Sequence, residues 1–177
     1  AMAAILVGIN LNMTIEEIKN GLKNFQCTKN RLDIIKKDNI TIIDSVYNAS
    51  IDSMSAALNI LGRYETRRVA ILGDMFEMGS FAEEGHKQVG KDASENADVI
   101  IAIALGNVDV VISIGDDSKF IIKELKENNM SSENLYYFAT KEEAIENLDK
   151  IIKENDTILV KASRGMHLEK VVEHLNK

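Results

Sequence analysis

Cysteine is nearly absent from the sequence, since Cys27 is the only one. A single thiol excludes an intrachain disulfide and a cysteine-based zinc site. The three histidines, His86, His167 and His174, share no metal-ligand spacing. The sequence also has no run of about 18 apolar residues and no signal-peptide pattern. These absences favour a cytoplasmic protein with no metal site of its own and no membrane partner.

Positive charge is also scarce, with 21 Lys and Arg against 28 Asp and Glu and a formal net charge of −7. A protein that binds a phosphate backbone needs a concentrated basic face, so we expect no nucleic-acid partner.

Phosphate-binding loops are missing too, since neither G-x-x-x-x-G-K-[ST] nor G-x-G-x-x-G occurs. The chain therefore has no cradle of its own for a triphosphate. With 177 residues, 45% of them hydrophobic, it is long enough for one domain and part of a second.

The first 29 residues differ in pattern from the rest. Residues 1–3 are interpreted as a cloning remnant, and residues 4–26 are predicted to be helical, with a capping box from Thr14 to Glu17. Because the pattern breaks after residue 26, we divide the chain into segments 1–29 and 30–177. The apolar stripe of the predicted helix consists of Ile18, Leu22 and Phe25.

Strands and helices alternate from residue 31 onward. Arg31 to Lys36 and Ile40 to Asp44 are predicted to form a hairpin, and Ser50 is predicted to begin the next helix. The apolar run Arg68 to Leu72 is typical of a strand buried on both faces of a parallel sheet. Further strands are predicted at 110–114, 135–138 and 157–160, and helices at 81–97, 117–128, 141–153 and around 168–175. The alternation predicts the α/β class, a doubly wound, mostly parallel sheet with helices on both faces.

Residues 96–104 nearly repeat residues 107–115. Two strands joined by two residues cannot be parallel neighbours, because a parallel pair needs a crossover of a dozen or more residues. The first copy is therefore an extension of the preceding helix, an antiparallel strand or an inserted strand. We favour the helix extension, in which Gly106 serves as the C-terminal cap.

Polar residues follow several predicted strands, where ligands bind in open α/β sheets. They lie in the segments 44–48, 73–75, 115–117 and 161–164. Acidic groups can hold a ribose hydroxyl or a metal-bound water, and basic groups can bind a carboxylate or a phosphate.

Simpler structural roles compete with these functions. Asp74 and Asp116 can cap helix N-termini instead, and the two interpretations are about equally favoured. His86, on the apolar side of its helix, is more typical of a packed core residue than of a catalytic one. The pairs Glu83-Glu84 and Glu142-Glu143 are typical of solvated charges in a first helical turn.

Four phrases occur in a specific order: IDSVYNAS at 43–50, LGDMFEMG at 72–79, His86 with Val89 and Gly90, and ILVKASRGM at 158–166. In these phrases the chain resembles the C-terminal domain of the Mur ligase family, a Rossmann-like domain, over residues 31 to 175. Within the family it resembles the branch that adds D-alanyl-D-alanine to UDP-N-acetylmuramoyl-tripeptide in peptidoglycan synthesis.

The resemblance implies an ATP-dependent, three-domain, monomeric ligase. Segment 1–29 would be the tail of the central ATPase domain, and segment 30–177 the mobile C-terminal lid, inactive by itself. ATP and Mg²⁺ would be bound mainly by the central domain. The resemblance implies these nucleotide-binding residues: Arg31, Asp44, Tyr47 and Asn48. It implies these substrate-binding residues: Asp74, Lys161, Ser163 and Arg164.

Four positions depart from the family pattern. Ser45 stands where the family usually has a second aspartate, and Ile51 where it usually has a proline. Asn30 and Ala162 stand where glycines are usual. The charged groups named above are all retained.

Three other functions compete with this one. The first is a related Mur ligase with another acceptor, although the phrases around Asp74 and Ser163 favour the D-alanyl-D-alanine branch. The second is a stand-alone receiver-like module, but Asp44 lacks an acidic neighbour and Asp74 comes too early. The third is a nicotinamide-binding domain, which the missing glycine fingerprint disfavours.

Overall fold

The computed structural model describes residues 2–25, 28–94 and 108–177, and its centre is one six-stranded sheet. The strands are β1 (Asp33–Lys37), β2 (Ile40–Asp44), β3 (Arg68–Gly73), β4 (Val110–Ile114), β5 (Leu135–Phe138) and β6 (Thr157–Lys161). The helices are α1 (Met2–Asn10), α2 (Ile15–Lys23), α3 (Ile51–Leu61), α4 (Ala82–Ser94), α5 (Lys119–Glu127), α6 (Lys141–Ile151) and α7 (Glu169–Leu175). The spatial order is β1-β2-β6-β3-β4-β5. Among the described strands only the β1–β2 hairpin is antiparallel, so the predicted class and the predicted hairpin are confirmed.

The hydrophobic core has two parts, one on each face of the sheet. Helices α3, α4 and α5 cover one face through residues such as Leu58 and Val89. Helices α6 and α7 cover the other through Leu148 and Val171. Every residue of β3, β4 and β6 is therefore buried, as expected for parallel strands that have helices on both sides. The predicted buried strand from Arg68 is confirmed.

The N-terminal segment is largely helical, as predicted, and residues 11–14 divide it into two helices. Helix α1 already begins at Met2, and it ends where Asn12 adopts a left-handed conformation with φ of 54°. There the amide of Met13 donates to the carbonyl of Gly8, which closes the helix end. The predicted capping box of Thr14 and Glu17 is confirmed at the start of α2. Phe25 of the predicted stripe is 69% exposed.

Several helices are shorter than their predicted ranges. Helix α4 begins after a short 3₁₀ turn, Gly79–Phe81, and positions 95–97 of its predicted range lie outside the described residues. The first copy of the repeat and its predicted cap at Gly106 also lie outside them, whereas the second copy forms β4. At the start of α6, Thr140 accepts from the amide of Glu143 as predicted, but the Glu143 carboxylate accepts from Ala139 instead of Thr140.

The amino ends of the parallel strands are joined by ion pairs. Arg67 lies 2.7 Å from Asp156, and Arg68 lies 2.7 Å from Asp109. The hydroxyls of Thr66 and Thr157 are 2.6 Å apart between these pairs. In the described parts of the chain, no helix has both the length and the apolar character needed to cross a membrane.

The position of β6 in the sheet predicts where the fold is most sensitive to mutation. Leu159 is 0% exposed in the middle of β6, whereas Ile34 on the edge strand β1 is 52% exposed. We expect Leu159→Ala to lower the free energy of unfolding by about 2–5 kcal/mol, because it removes buried methyl groups and leaves a cavity. Ile34→Ala should change it by less than about 1 kcal/mol. Urea denaturation measures both, and equal losses would contradict the described position of β6.

Candidate functional site

Three loops meet at the carboxyl ends of β2, β6 and β3, because these strands are parallel neighbours. Together they line a cleft with a volume of about 750 Å³, which is a suitable size for a small-molecule ligand. Residues 47–50 come from the loop after β2, residues 76–78 from the loop after β3, and residues 163–165 from the loop after β6. The predicted convergence of strand ends at one edge therefore occurs for these three strands.

Two arginines converge on the ring of Tyr47 at this edge. The guanidinium carbon of Arg31 lies 3.7 Å from the ring centroid, and that of Arg164 lies 5.9 Å from it. The amide of Tyr47 donates to the carbonyl of Asn30 at 3.1 Å, which holds the segment before β1 against this loop. A tyrosine face attracts cations, so the ring keeps two positive charges close together. Exposed guanidinium groups in this arrangement can bind phosphate or carboxylate.

Asp44 is 2% exposed and hydrogen-bonds to its surroundings. Its Oδ1 accepts from the amide of Val46 at 3.2 Å, and its Oδ2 accepts from the side chain of Asn30 at 2.9 Å. Burial raises the pKa of Asp44, and these two hydrogen bonds oppose the shift. Asn30 has a φ of 65°, a left-handed conformation that asparagine tolerates, so asparagine can stand where the family resemblance implies a glycine.

Ser163 connects the loops after β6 and β3. It is 4% exposed, its Oγ accepts from the amide of Phe76 at 2.8 Å, and its own amide donates to the carbonyl of Asp74 at 3.0 Å. These bonds satisfy backbone groups that would otherwise be buried without partners.

Asp74 connects β3 to the start of α5. Its Oδ1 accepts from the amides of Asp117 at 3.1 Å and Ser118 at 2.7 Å, and the residue is 6% exposed. Of the two predicted roles, the structure therefore supports a capping role for this carboxylate. Gly115 makes room for it, since a Cβ at Gly115 would lie 2.5 Å from its Oδ2. Asp116 is exposed and does not line the cleft.

Lys161 lies beneath the loop after β2. It is 3% exposed, and its Nζ donates to the carbonyl of Asn48 at 2.8 Å. The predicted substrate-binding residue therefore does not line the cleft in this structure, in contrast to Arg164, which is exposed and does.

His86 is a packed core residue, which confirms the favoured interpretation. It is 0% exposed, and its Nε2 accepts from the amide of Met75 at 3.0 Å. The ring proton must then lie on Nδ1, which donates to the carbonyl of Ala82 at 2.7 Å. The side chain thus supports the loop after β3 and is not available for acid–base catalysis.

The eight predicted site residues form two layers. Tyr47, Asn48 and Arg164 are exposed and line the cleft, and Arg31 is exposed beside the Tyr47 ring. Asp44, Asp74, Lys161 and Ser163 are buried, and of these four only Ser163 reaches the cleft lining. The prediction of site residues omitted Phe76, Glu77, Met78 and Gly165, which also line the cleft. Their position directly after predicted strand-end residues was the signal that could have identified them. In the described stretches, no group of three His, Cys, Asp or Glu side chains could hold a metal ion.

The other end of this edge is acidic. Tyr137 at the end of β5 has a raised pKa, first because it is partly desolvated and then because Asp116 and Asp74 carry negative charge nearby. The cleft side of the edge carries the guanidinium groups of Arg31 and Arg164 together with the exposed carboxylate of Glu77.

Comparison with known proteins gives consistent similarities. The family described as "Mur ligase, glutamate ligase domain" matches residues 30–164. UDP-N-acetylmuramoyl-tripeptide--D-alanyl-D-alanine ligase of Buchnera aphidicola subsp. Baizongia pistaciae is 36% identical over 100% of this chain and 35% of its own length. The Bacillus subtilis protein of the same name is 32% identical over 99% of this chain and 36% of its own length. The chain thus spans about a third of the length of these curated relatives.

A solved structure supports the fold. The MurF ligase from Thermotoga maritima, in complex with ADP, superimposes with a TM-score of 0.75. The match covers 97% of this chain and 36% of that one, at 22% sequence identity. At this level of identity the likeness concerns the fold alone.

The close approach of Gly115 and Asp74 predicts a position-specific glycine requirement. Gly115 has a φ of 114°, and a Cβ there would collide with the Asp74 carboxylate. We expect Gly115→Ala to lower the free energy of unfolding by about 2–4 kcal/mol, from backbone strain and displacement of this carboxylate. Gly21→Ala is the control, since a Cβ in α2 would have no atom within 4 Å. It should be neutral or stabilising by up to about 1 kcal/mol. Thermal and urea unfolding measure both variants, and a neutral Gly115→Ala would contradict the described cap.

Proposed function

Because the chain belongs to the Mur ligase family, through its glutamate ligase domain, we propose that it is the C-terminal domain of an ATP-dependent ligase. The proposed reaction joins D-alanyl-D-alanine to UDP-N-acetylmuramoyl-tripeptide, which is the activity named for the curated relatives. Those relatives are almost three times as long as the matched segment. The remaining substrate contacts and the phosphate-binding loop would then belong to the rest of the enzyme.

The observation that carries the proposal is the cleft at the ends of β2, β6 and β3. It presents the Arg164 guanidinium, the rings of Tyr47 and Phe76 and the amide side chain of Asn48 to solvent, with the Arg31 guanidinium beside the Tyr47 ring. An aromatic ring and an amide suit a nucleoside, and guanidinium groups suit phosphates or a carboxylate. The solved Thermotoga maritima relative was crystallised with ADP, in agreement with a nucleotide ligand.

The proposed chemistry has two steps. The carboxylate of the tripeptide attacks the γ-phosphorus of ATP, which forms an acyl phosphate and releases ADP. The amine of D-alanyl-D-alanine then attacks the acyl carbon, forms the peptide bond and expels phosphate. Water would hydrolyse the acyl phosphate, so a domain that closes over the site protects the intermediate.

Each layer of the site has a proposed role in this reaction. Arg31, Tyr47 and Asn48 contact the nucleotide, and Arg164 binds the phosphate or the carboxylate of the acceptor. Asp44, Asp74, Lys161 and Ser163 form the floor that fixes these contacts in place. Mg²⁺, when bound, would supply neutralisation of phosphate charge, and we assign it to the rest of the enzyme, as the family resemblance implies.

A chimera tests the ligase function. We expect this chain, in place of the matching segment of the Bacillus subtilis relative, to support phosphate release that depends on ATP, UDP-muramoyl-tripeptide and D-alanyl-D-alanine. Arg164→Ala in the chimera should lower kcat/KM about 10- to 100-fold, because one charged contact to a ligand is lost. Lys123→Ala, an exposed change on α5, is the matched control and should leave kcat/KM within about twofold.

The acceptor dependence decides between branches of the family. Release that requires a different amino acid would assign the domain to another Mur ligase. An active chimera in which Arg164→Ala has no effect would show that the cleft is not the site.

The chain by itself should have no ligase activity. Its cleft offers peripheral nucleotide contacts, and the sequence has no phosphate-binding loop. We expect no ATP turnover above background when the purified 177-residue chain is incubated with ATP, Mg²⁺ and both substrates. A coupled ADP assay measures this, with the chimera as positive control, and turnover by the chain alone would refute the lid assignment.

A further inference from the structure

Lys161 is the last residue of β6, in the middle of the sheet. Its ammonium crosses to the neighbouring loop after β2 and binds that loop at two points. The Nζ atom lies 2.8 Å from the carbonyl oxygen of Asn48 and 3.4 Å from the Oγ of Ser45. One amine thus spans the turn formed by residues 45–48, which we call the adenosine turn because it carries Tyr47 and Asn48.

The ammonium has no carboxylate partner within salt-bridge distance in the part of the chain that the structure describes. The nearby acidic groups are bound elsewhere, since Asp44 accepts from Val46 and Asn30, and Asp74 accepts from the start of α5. The charged group that influences the pKa of Lys161 is Arg31, which is also positive. Burial first, and then Arg31, lowers the pKa of Lys161 to about 8. A buried charge kept without a counter-ion costs stability, which indicates a role other than stabilising the fold.

The side chain also does not reach the ligand space. Ser163 and Arg164 of the same loop line the cleft, whereas Lys161 is 3% exposed and does not. The carbonyl that it binds belongs to Asn48, whose side chain is exposed at the cleft. A charged hydrogen bond to a backbone carbonyl is stronger than a neutral one, so it can fix the position of a turn.

We propose that Lys161 is a positioning residue, which holds the adenosine turn so that Tyr47 and Asn48 face the nucleotide and which contacts no substrate itself. The proposal rests on the proposed function only for the identity of the ligand. The hydrogen bonds themselves can be tested in the chain alone, so the two proposals can fail separately.

The first test follows the adenosine turn by NMR in the purified chain. The amide signal of Ala49, which belongs to the peptide group whose carbonyl Lys161 binds, should titrate with a midpoint near pH 8. In Lys161→Met, a neutral side chain of similar length, this titration should be absent and the signals of residues 45–49 should be displaced at pH 7. Lys161→Arg should keep the low-pH signal positions at every pH. An Ala49 signal that neither titrates nor moves in Lys161→Met would overturn the proposal.

The pH dependence of the free energy of unfolding provides a second test of the Lys161 ammonium. An unfolded lysine has a pKa of about 10.4, whereas that of Lys161 is about 8 when folded. Between these values the unfolded chain binds more protons, so the free energy of unfolding contributed by this group rises with pH. We expect the wild type to gain stability relative to Lys161→Met from pH 8 to 10. Lys123→Met, with an exposed lysine, should run parallel to the wild type. Parallel curves for wild type and Lys161→Met would contradict a buried ammonium.

The chimera separates a positioning role from a substrate contact. If Lys161 positions the adenosine turn, Lys161→Met should raise the KM for ATP at least tenfold and change kcat less than threefold. Lys161→Arg should recover most of the affinity for ATP. An increase in the KM for D-alanyl-D-alanine, with the KM for ATP unchanged, would instead show a direct acceptor contact and overturn the proposal. If the chimera has no ligase activity, the NMR titration still decides the role of Lys161.

Discussion

The loops that leave β2, β6 and β3 are joined by hydrogen bonds from buried polar side chains to the backbone of a neighbouring loop. Parallel pairing places these loops side by side in a region with little water, where each backbone amide and carbonyl needs a partner. Ser163 bonds to Phe76, Lys161 to Asn48, and Asp74 to the start of α5. His86 completes the set through the amide of Met75. The shape of the cleft depends on this set of bonds, because each one fixes a residue that lines the cleft or adjoins it.

This arrangement separates the residues that can meet a ligand from the residues that hold them. The exposed layer contains the two arginines around Tyr47, where water screens their mutual repulsion and the ring attracts both. The buried layer contains two carboxylates, an ammonium and a hydroxyl, each with backbone partners. A functional residue need not touch the ligand in such a site. Loss of a buried group would move several exposed groups together, whereas loss of an exposed group would remove a single contact.

The sequence predicts the elements of this fold better than it predicts the layers of the site. The run from Arg68 to Leu72 identifies a buried strand because its residues are apolar except Arg68, which forms an ion pair with Asp109. The hairpin before Asp44 follows from its turn residues. The capping box at Thr14 marks where α2 starts, whereas the end of α1 after Asn10 depends on a left-handed asparagine that periodicity does not reveal. The burial of Asp74 and Lys161 depends on which strands become neighbours, and local sequence contains no such information.

The departures from the family pattern have local physical explanations. Asn30 adopts the left-handed conformation that the implied glycine would take, and its side chain donates a hydrogen bond to Asp44. Ser45, in place of an acid, accepts from Lys161 at 3.4 Å. Ile51 occupies the first position of α3, where proline is tolerated but not required. Ala162 packs against Gly73, whose missing side chain leaves space for the added methyl group.

The strand that joins the two halves of the sheet is the last of the six to be synthesised. Strand β6 lies between β2 and β3, although more than 80 residues separate it from β3 along the chain. On the ribosome, β2 and β3 must therefore wait with unpaired edges until residues 157–161 emerge from the exit tunnel. Exposed strand edges can pair with other chains, and such long-range closure is slow. A nascent chain of this topology therefore exposes one edge of β2 and one edge of β3 to other chains until β6 has been synthesised.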